Sequence, residues 1–126
     1  MPFLCYNSVE STIDEMCADI DRSNEEIDLI EKQIPGVLKQ IEEDKKHANR
    51  YAEKLLKARK EEDKQRYSED ARHCYNFLTE SEKYLDDLNK EVAKIKNNIL
   101  LIQKSIILLK EASSLFEGLE DSCPYP

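Results

Sequence analysis

The chain has 126 residues, of which 37% are charged and 40% hydrophobic, and it contains only two glycines and no tryptophan. This length is typical of one domain, and the composition favours long helices over a sheet or a loop-rich enzyme. A net charge of -8 disfavours nonspecific binding to nucleic acid, because phosphate binding needs a basic surface. We therefore expect one all-α domain over residues 1–126, with no nucleic acid as a partner.

No membrane-spanning segment or export signal is predicted from the sequence. The longest apolar blocks, ILLI and IILL, are far shorter than the roughly 18 residues that a spanning helix needs. The first residues, MPFLCYNSVE, lack the basic region of a signal peptide. The four cysteines form no C-x-x-C pair, so we expect reduced thiols and a cytoplasmic location.

The first arm of the predicted fold covers residues of about 8–60. Its apolar side chains recur in alternate steps of three and four, which predicts one apolar face of a helix. The run passes through Pro35 and Gly36, which together cost about 4 kcal/mol inside a helix. Burial of the apolar residues that follow, at about 1.5 to 3 kcal/mol each, offsets this cost. The spacing also stays in phase through Val37, Ile41, Ala48, Tyr51 and Leu55, with Leu38, Ile41, Ala48, Ala52 and Leu55 as the alternative register of this segment. We predict a kink at 35–36.

The alternative is a type II turn at Pro35-Gly36, which would give a three-helix up-down-up bundle. That bundle would leave the most apolar part of its long third helix, residues 99–109, without a partner inside the chain. We therefore prefer the kinked arm.

A polar link at about 60–66 and a second arm at about 67–117 complete the predicted fold. Fourteen positions from 71 to 116 step by alternate threes and fours, and twelve of them are apolar, which is typical of a coiled-coil seam. Folding back at the link gives an elongated antiparallel helical hairpin of the coiled-coil type. We predict an inter-arm seam that includes Ile13, Ile20, Ile27, Ile99, Ile102, Ile106 and Leu109. Prolines near the end of the chain place a flexible tail at 118–126.

The block ILLIQKSIILL, residues 99–109, is more apolar than a seam between two helices requires. A helix that is apolar on all sides is normally buried on all sides, and exposed apolar patches mark partner surfaces. We therefore expect a non-enzymatic interaction or assembly subunit that forms a homodimer or docks with another helical protein. The predicted partner interface consists of Leu100, Leu101, Ile107 and Leu108.

The apolarity of the 99–109 block is also consistent with two alternatives. A third helix within the chain would bury the extra apolar residues as ordinary core. A membrane-active helical protein would insert the block into lipid, although Lys104 and the shortness of the block disfavour insertion.

Candidate metal and catalytic sites are weak in this sequence. Asp44 and His47, and likewise Asp70 and His73, are three residues apart, as ligands are in helical di-metal sites. The geometry fails, since Asp44 is a seam position, His47 flanks the seam and His73 points outward, and no buried glutamate is available to complete a site. Cys74 points about 100° away from its neighbour His73 and lies on the seam, so we interpret it as a buried structural thiol. We predict no enzymatic activity, cofactor or metal.

Two further features have alternative interpretations. The segment KLLKARKEEDKQR, residues 54–66, is the only locally basic stretch. We interpret it as a solvated link, with a contact site for an acidic partner as the alternative. The hairpin would also bring Cys5 and Cys123 together at its open end, and the sequence leaves open whether they pair.

Overall fold

The computed structural model describes the backbone of residues 6–115 and the side chains of residues 8–115. This part of the chain is helical apart from two short breaks, which confirms the all-α prediction. The helices are α1 (Tyr6–Glu31), α2 (Ile34–Lys57) and α3 (Glu61–Leu115). The predicted tail at 118–126 lies outside the described residues, as do Cys5 and Cys123.

The break between α1 and α2 falls on Lys32 and Gln33, just before Pro35. A proline has no backbone N–H, and its ring clashes with the carbonyl four residues earlier, which here belongs to Glu31, the last residue of α1. The N–H of Gln33 instead donates to the carbonyl of Ile30 at 3.0 Å, in the tighter i to i-3 pattern. Pro35 itself lies in the first turn of α2, where its missing N–H costs little.

The type II turn considered for Pro35-Gly36 is wrong. Such a turn requires a positive φ at Gly36. Gly36 instead lies inside α2, and no glycine among residues 6–115 has a positive φ. At the break itself, Gln33 has φ -79° and ψ -26°, which are right-handed helical values. The chain therefore passes the interruption without a left-handed residue.

The connection between α2 and α3 is residues 58–60, so the polar link predicted at about 60–66 is wrong in its bounds. Ala58 has an extended backbone, with φ -69° and ψ 136°, and its N–H donates to the carbonyl of Leu55 at 3.3 Å. The helix ends at this junction carry Lys54 and Lys57 in the last turn of α2, and Glu61, Glu62 and Asp63 in the first turn of α3. Charges of these signs interact favourably with the helix dipoles, so the polar segment forms two helix ends rather than a loop.

Contacts divide the chain into two compact units, and the single-domain assignment stays a prediction. Among the described residues, the first unit contains residues 6–28 of α1 and 93–115 of α3. Its buried residues are Val9, Ile27, Ile95, Ile99 and Ile106. All five lie on positions spaced by threes and fours, so the core of this unit is an apolar seam.

The second unit, residues 29–92, contains α2 and the first part of α3. Its buried residues are Ile41, Asp44, Ala48, Ala71 and Val92. Two side-chain hydrogen bonds link the chain across it: Ser81 Oγ donates to Asp44 Oδ2 at 3.0 Å, and Tyr84 Oη donates to Gln33 Oε1 at 2.8 Å. The acceptors follow the chain from Gln33 to Asp44, whereas their donors follow in the reverse order, from Tyr84 to Ser81. The α2 segment and α3 therefore run antiparallel within this unit.

Aromatic rings and cations contact each other near the connection between α2 and α3. Lys54 Nζ lies 5.3 Å from the centre of the Tyr51 ring and 5.8 Å from that of Tyr67, so it joins the two helices. The guanidinium of Arg66 lies 5.0 Å from the Tyr67 ring. Cation–π contacts contribute about 0.5 to 1 kcal/mol each at exposed sites. Two cations of the basic stretch 54–66 therefore contact rings of their own unit.

The buried and half-buried residues of α1 and α2 follow one regular spacing, which includes the residues on either side of the break. The positions that step by alternate threes and fours are 9, 13, 16, 20, 23, 27, 30, 34, 37, 41, 44, 48, 51 and 55, and none of them is exposed. In α3 the same holds for every such position from 71 to 113. Each helix therefore turns one continuous face inward.

Candidate interaction surface

The seven residues predicted for the inter-arm seam all belong to the first unit. Three of them, Ile27, Ile99 and Ile106, are buried, and each is 5 to 8% exposed. The other four are half-buried, namely Ile13, Ile20, Ile102 and Leu109. Residues 99, 102, 106 and 109 therefore lie on the inner face of α3 in this unit.

The predicted interface residues point away from that inner face. Leu100, Leu101, Ile107 and Leu108 are 53, 60, 56 and 65% exposed, respectively. Because successive residues of an α-helix are rotated by about 100°, positions 100 and 107 and positions 101 and 108 form two lines on the side of α3 opposite the seam. We call these four residues the α3 patch.

Lys104 lies midway between the two lines of the α3 patch, and it is exposed. A second set of positions in steps of three and four, which we call the outer line, runs from Leu101 through Lys104, Leu108 and Glu111 to Leu115. Leu115 is 82% exposed. Sequence reasoning missed the last two residues because it followed one seam; the signal was a second three-four spacing on the same helix.

The two charges on this outer line have no oppositely charged residue three or four positions away on their own helix. Positions three and four residues from Lys104 are the four members of the α3 patch. Positions three and four residues from Glu111 are Ile107, Leu108, Ser114 and Leu115. The ion pairs among the described residues are Arg22–Asp19, Arg66–Asp63 and Lys90–Asp86. Lys104 and Glu111 thus stand as isolated charges within an apolar stripe.

Large apolar residues are exposed elsewhere too, but they do not form a comparable stripe. In the second unit they are Leu29, Leu38 and Leu56 on α1 and α2, and Tyr75, Phe77 and Tyr84 on α3. Phe77 and Tyr84 are seven residues apart and share one line of α3, which makes a pair and not a group of four. The hydroxyl of Tyr84 donates to Gln33, and both residues line an open groove together with Lys32, Gln40 and Glu80. Single exposed apolar side chains are normal on a protein surface, whereas a contiguous group is informative.

The carboxylate of Asp44 accepts hydrogen bonds from two side chains, and the absence of a bound metal stays a prediction. Asp44 is 8% exposed and accepts hydrogen bonds from Gln40 Nε2 at 2.9 Å and from Ser81 Oγ at 3.0 Å. His47 and His73 are both exposed. Within residues 6–115 no three potential ligands are grouped as a metal would require. A buried carboxylate held by two donors is well satisfied without an ion.

The two cysteines of the described chain differ in environment. Cys17 is exposed, whereas Cys74 is half-buried at a seam position of α3. Burial raises the pKa of the Cys74 thiol, and the nearby carboxylates of Asp70 and Asp44 raise it further. A raised pKa leaves less thiolate at neutral pH, which is opposite to the shift of an activated nucleophile.

Comparison with family models, curated proteins and solved structures finds no match to this chain. Among the described helices, none has a stretch of sufficient length and apolarity to cross a bilayer. The α3 patch and its surroundings are therefore the features of the described chain that bear on function.

Proposed function

We propose that this chain is a non-enzymatic assembly or interaction subunit, and that the α3 patch binds a helix of a second molecule. The observation that carries the proposal is the exposure of four large apolar side chains on the face of α3 opposite its seam. Such surfaces characteristically receive the apolar face of another helix.

The energy available from the α3 patch indicates what the partner must offer. Each of its four side chains keeps more than half of its surface exposed. Burying the remainder is worth about 1 to 2 kcal/mol per side chain. Association of two molecules costs at least about 4 kcal/mol in lost translational and rotational freedom. The partner therefore has to contribute an apolar surface of similar size for stable binding.

We also propose the antiparallel helical hairpin with a kink near Pro35 as the arrangement of the arms. Its support comes from the uninterrupted three-four burial along α1 and α2 and from the hydrogen bonds that join α2 to α3. The proposed cytoplasmic location rests on the cysteine pattern alone.

Photo-cross-linking tests the proposed function in cells that produce the chain. A benzophenone amino acid placed at Ile107 is expected to form a cross-linked protein product on irradiation. The matched control carries the same group at Leu56, which is 86% exposed on α2 and outside the α3 patch. We expect little product from the control. The substitutions Leu101→Glu and Leu108→Glu, added to the Ile107 label, are expected to abolish the product.

The outcomes of this experiment separate the possible partners. Equal products from the two labelled sites, or none from Ile107, would contradict the assignment of the α3 patch as an interface. Cross-linking to lipid, together with flotation of the purified chain with vesicles, would favour the membrane-active alternative instead. A protein product that depends on Leu101 and Leu108 would support the proposal.

A further inference from the structure

The charges on the outer line of α3 indicate which molecule covers the α3 patch. Lys104 and Glu111 are seven residues apart, so they lie on nearly the same side of the helix. Apolar residues lie before, between and after them: Leu100 and Leu101, then Ile107 and Leu108, then Leu115. The stripe therefore reads apolar, positive, apolar, negative, apolar.

Reversing the direction of such a stripe about the point between Ile107 and Leu108 exchanges its two charges and places apolar residues opposite each other, except at Leu101, which falls opposite Ser114. A surface that complements its own reversed copy is what a two-fold symmetric dimer requires, because each residue then meets the same set of partners in both subunits. A helix of opposite direction with this pattern also supplies the apolar surface that the energetics of the α3 patch demand.

We propose that the α3 patch is covered by a second copy of this chain, whose α3 packs antiparallel to the first across a two-fold axis between Ile107 and Leu108. In this pairing Lys104 of one copy lies beside Glu111 of the other, and the reverse contact forms at the same time. Leu100 meets Leu115 of the second copy, Ile107 meets Leu108, and Leu101 meets Ser114. The inference rests on the proposed function, since it names the occupant of the same surface.

Charge distinguishes this register from the two closest competitors. An antiparallel pairing centred on Lys104 also matches apolar residues, with Leu100 opposite Leu108 and Leu101 opposite Ile107. That pairing, however, brings the two lysines of the copies together. A parallel pairing does the same and also brings the two copies of Glu111 together. Of these three pairings, the one with its axis between Ile107 and Leu108 is the one that places opposite charges together at positions 104 and 111. Like charges in contact oppose association.

Charge reversal tests the register directly, because the isolated charges have no oppositely charged residue three or four positions away on their own helix. We would measure the dissociation constant of the dimer by sedimentation equilibrium for the wild type, Lys104→Glu, Glu111→Lys and the double variant. Each single reversal converts two attractive contacts into two repulsive ones and should weaken the dimer about tenfold. The double variant exchanges the charges and should return to within about twofold of the wild type.

Mixing the two single variants gives a second and independent readout. A chain with Lys104→Glu carries two acids on the stripe, and a chain with Glu111→Lys carries two bases. An equimolar mixture should therefore associate more tightly than either variant alone. Lys64→Glu is the matched control, since Lys64 is exposed and lies in the second unit. Its dimer should have the affinity of the wild type.

The results also separate this inference from the proposed function. A wild-type chain that stays monomeric up to about 1 mM, or a dimer whose affinity does not respond to the charge variants, would overturn the inference. A patch-dependent cross-link to a different protein would overturn it as well while supporting the proposed function. A dimer that persists unchanged in the Leu101→Glu, Leu108→Glu variant would overturn the inference alone, because its contact would lie elsewhere. The proposed function would fail separately, if the label at Ile107 gave no patch-dependent product.

Discussion

Replacing Gly36 with alanine is expected to stabilise the chain. Gly36 lies in the first turn of α2, without a positive φ, and a Cβ added there meets no atom within 4 Å. Alanine restricts the unfolded backbone more than glycine does and is the better helix former, so the free energy of unfolding should rise by about 0.5 to 1 kcal/mol.

Urea unfolding followed by circular dichroism measures this change. With a denaturant dependence of about 2 kcal/mol per molar urea, the midpoint should rise by about 0.3 to 0.5 M. Ala93→Gly is the matched control, because Ala93 is exposed inside α3 and the reverse exchange should cost about 1 kcal/mol there. A lower midpoint for Gly36→Ala would show that the residue needs a positive φ, which would refute the helical assignment and restore the turn.

Three further predictions concern the seams and a thiol. Ser81→Ala removes one of two donors to the buried carboxylate of Asp44 and should lower the free energy of unfolding by about 1 to 2 kcal/mol in urea titrations. Ile99→Ala should cost about 2 to 4 kcal/mol by the same assay, whereas Leu29→Ala, at an exposed position, should cost less than about 0.5 kcal/mol. Alkylation of a variant that retains only Cys74 should show a pH midpoint above the ordinary thiol value of about 8.5, because burial raises its pKa.

Controls for these predictions come from the same helices. Thr79→Ala removes a hydroxyl that donates to the carbonyl of Tyr75 on its own exposed helix face, so it should change the free energy of unfolding by less than about 0.5 kcal/mol. Equal losses for the two hydroxyl variants would contradict the role of Ser81. Similar losses for Ile99→Ala and Leu29→Ala would contradict the assigned inner face of α3. An alkylation midpoint for Cys74 at or below the ordinary value would contradict the raised pKa.

The inward faces of the helices were predictable from spacing alone. A long helix can bury one stripe, and side chains three and four residues apart share that stripe, so the steps from Ala71 to Ser113 identify positions that the structure leaves unexposed. The all-α class followed from the same spacing and from the low glycine content. Both inferences use a helical period that tertiary structure does not alter.

Helix ends were less predictable, because charged residues suit both loops and helix termini. The sequence EED at 61–63 was interpreted as link, yet acids stabilise the first turn of a helix. The break before α2 likewise precedes Pro35, since a proline disturbs the carbonyl four residues earlier and not its own position. In both cases the residues that determine the helix end are present in the sequence. The break in the helix, however, falls a few residues before them.

Polar contacts across the second unit could be foreseen only in outline. Asp44 was assigned to a seam position, and Ser81 is one of the fourteen regularly spaced positions between 71 and 116, so folding back at the predicted link brings them close to each other. The bond between them depends on side-chain rotamers and on Gln40 as second donor, which spacing does not specify. The outer stripe of α3 was recognised through its four apolar residues, while the role of its charges required knowing which side faces the seam.

Hydroxyl-radical footprinting of the unmodified chain over a range of concentrations tests the central claim most directly. The account predicts that Leu100, Leu101, Ile107 and Leu108 are oxidised readily in dilute solution and become protected as the concentration rises. Leu56, exposed in the second unit, should be oxidised at the same rate throughout. Oxidation of the α3 patch that is independent of concentration, in samples that sediment as dimers, would contradict association through this surface.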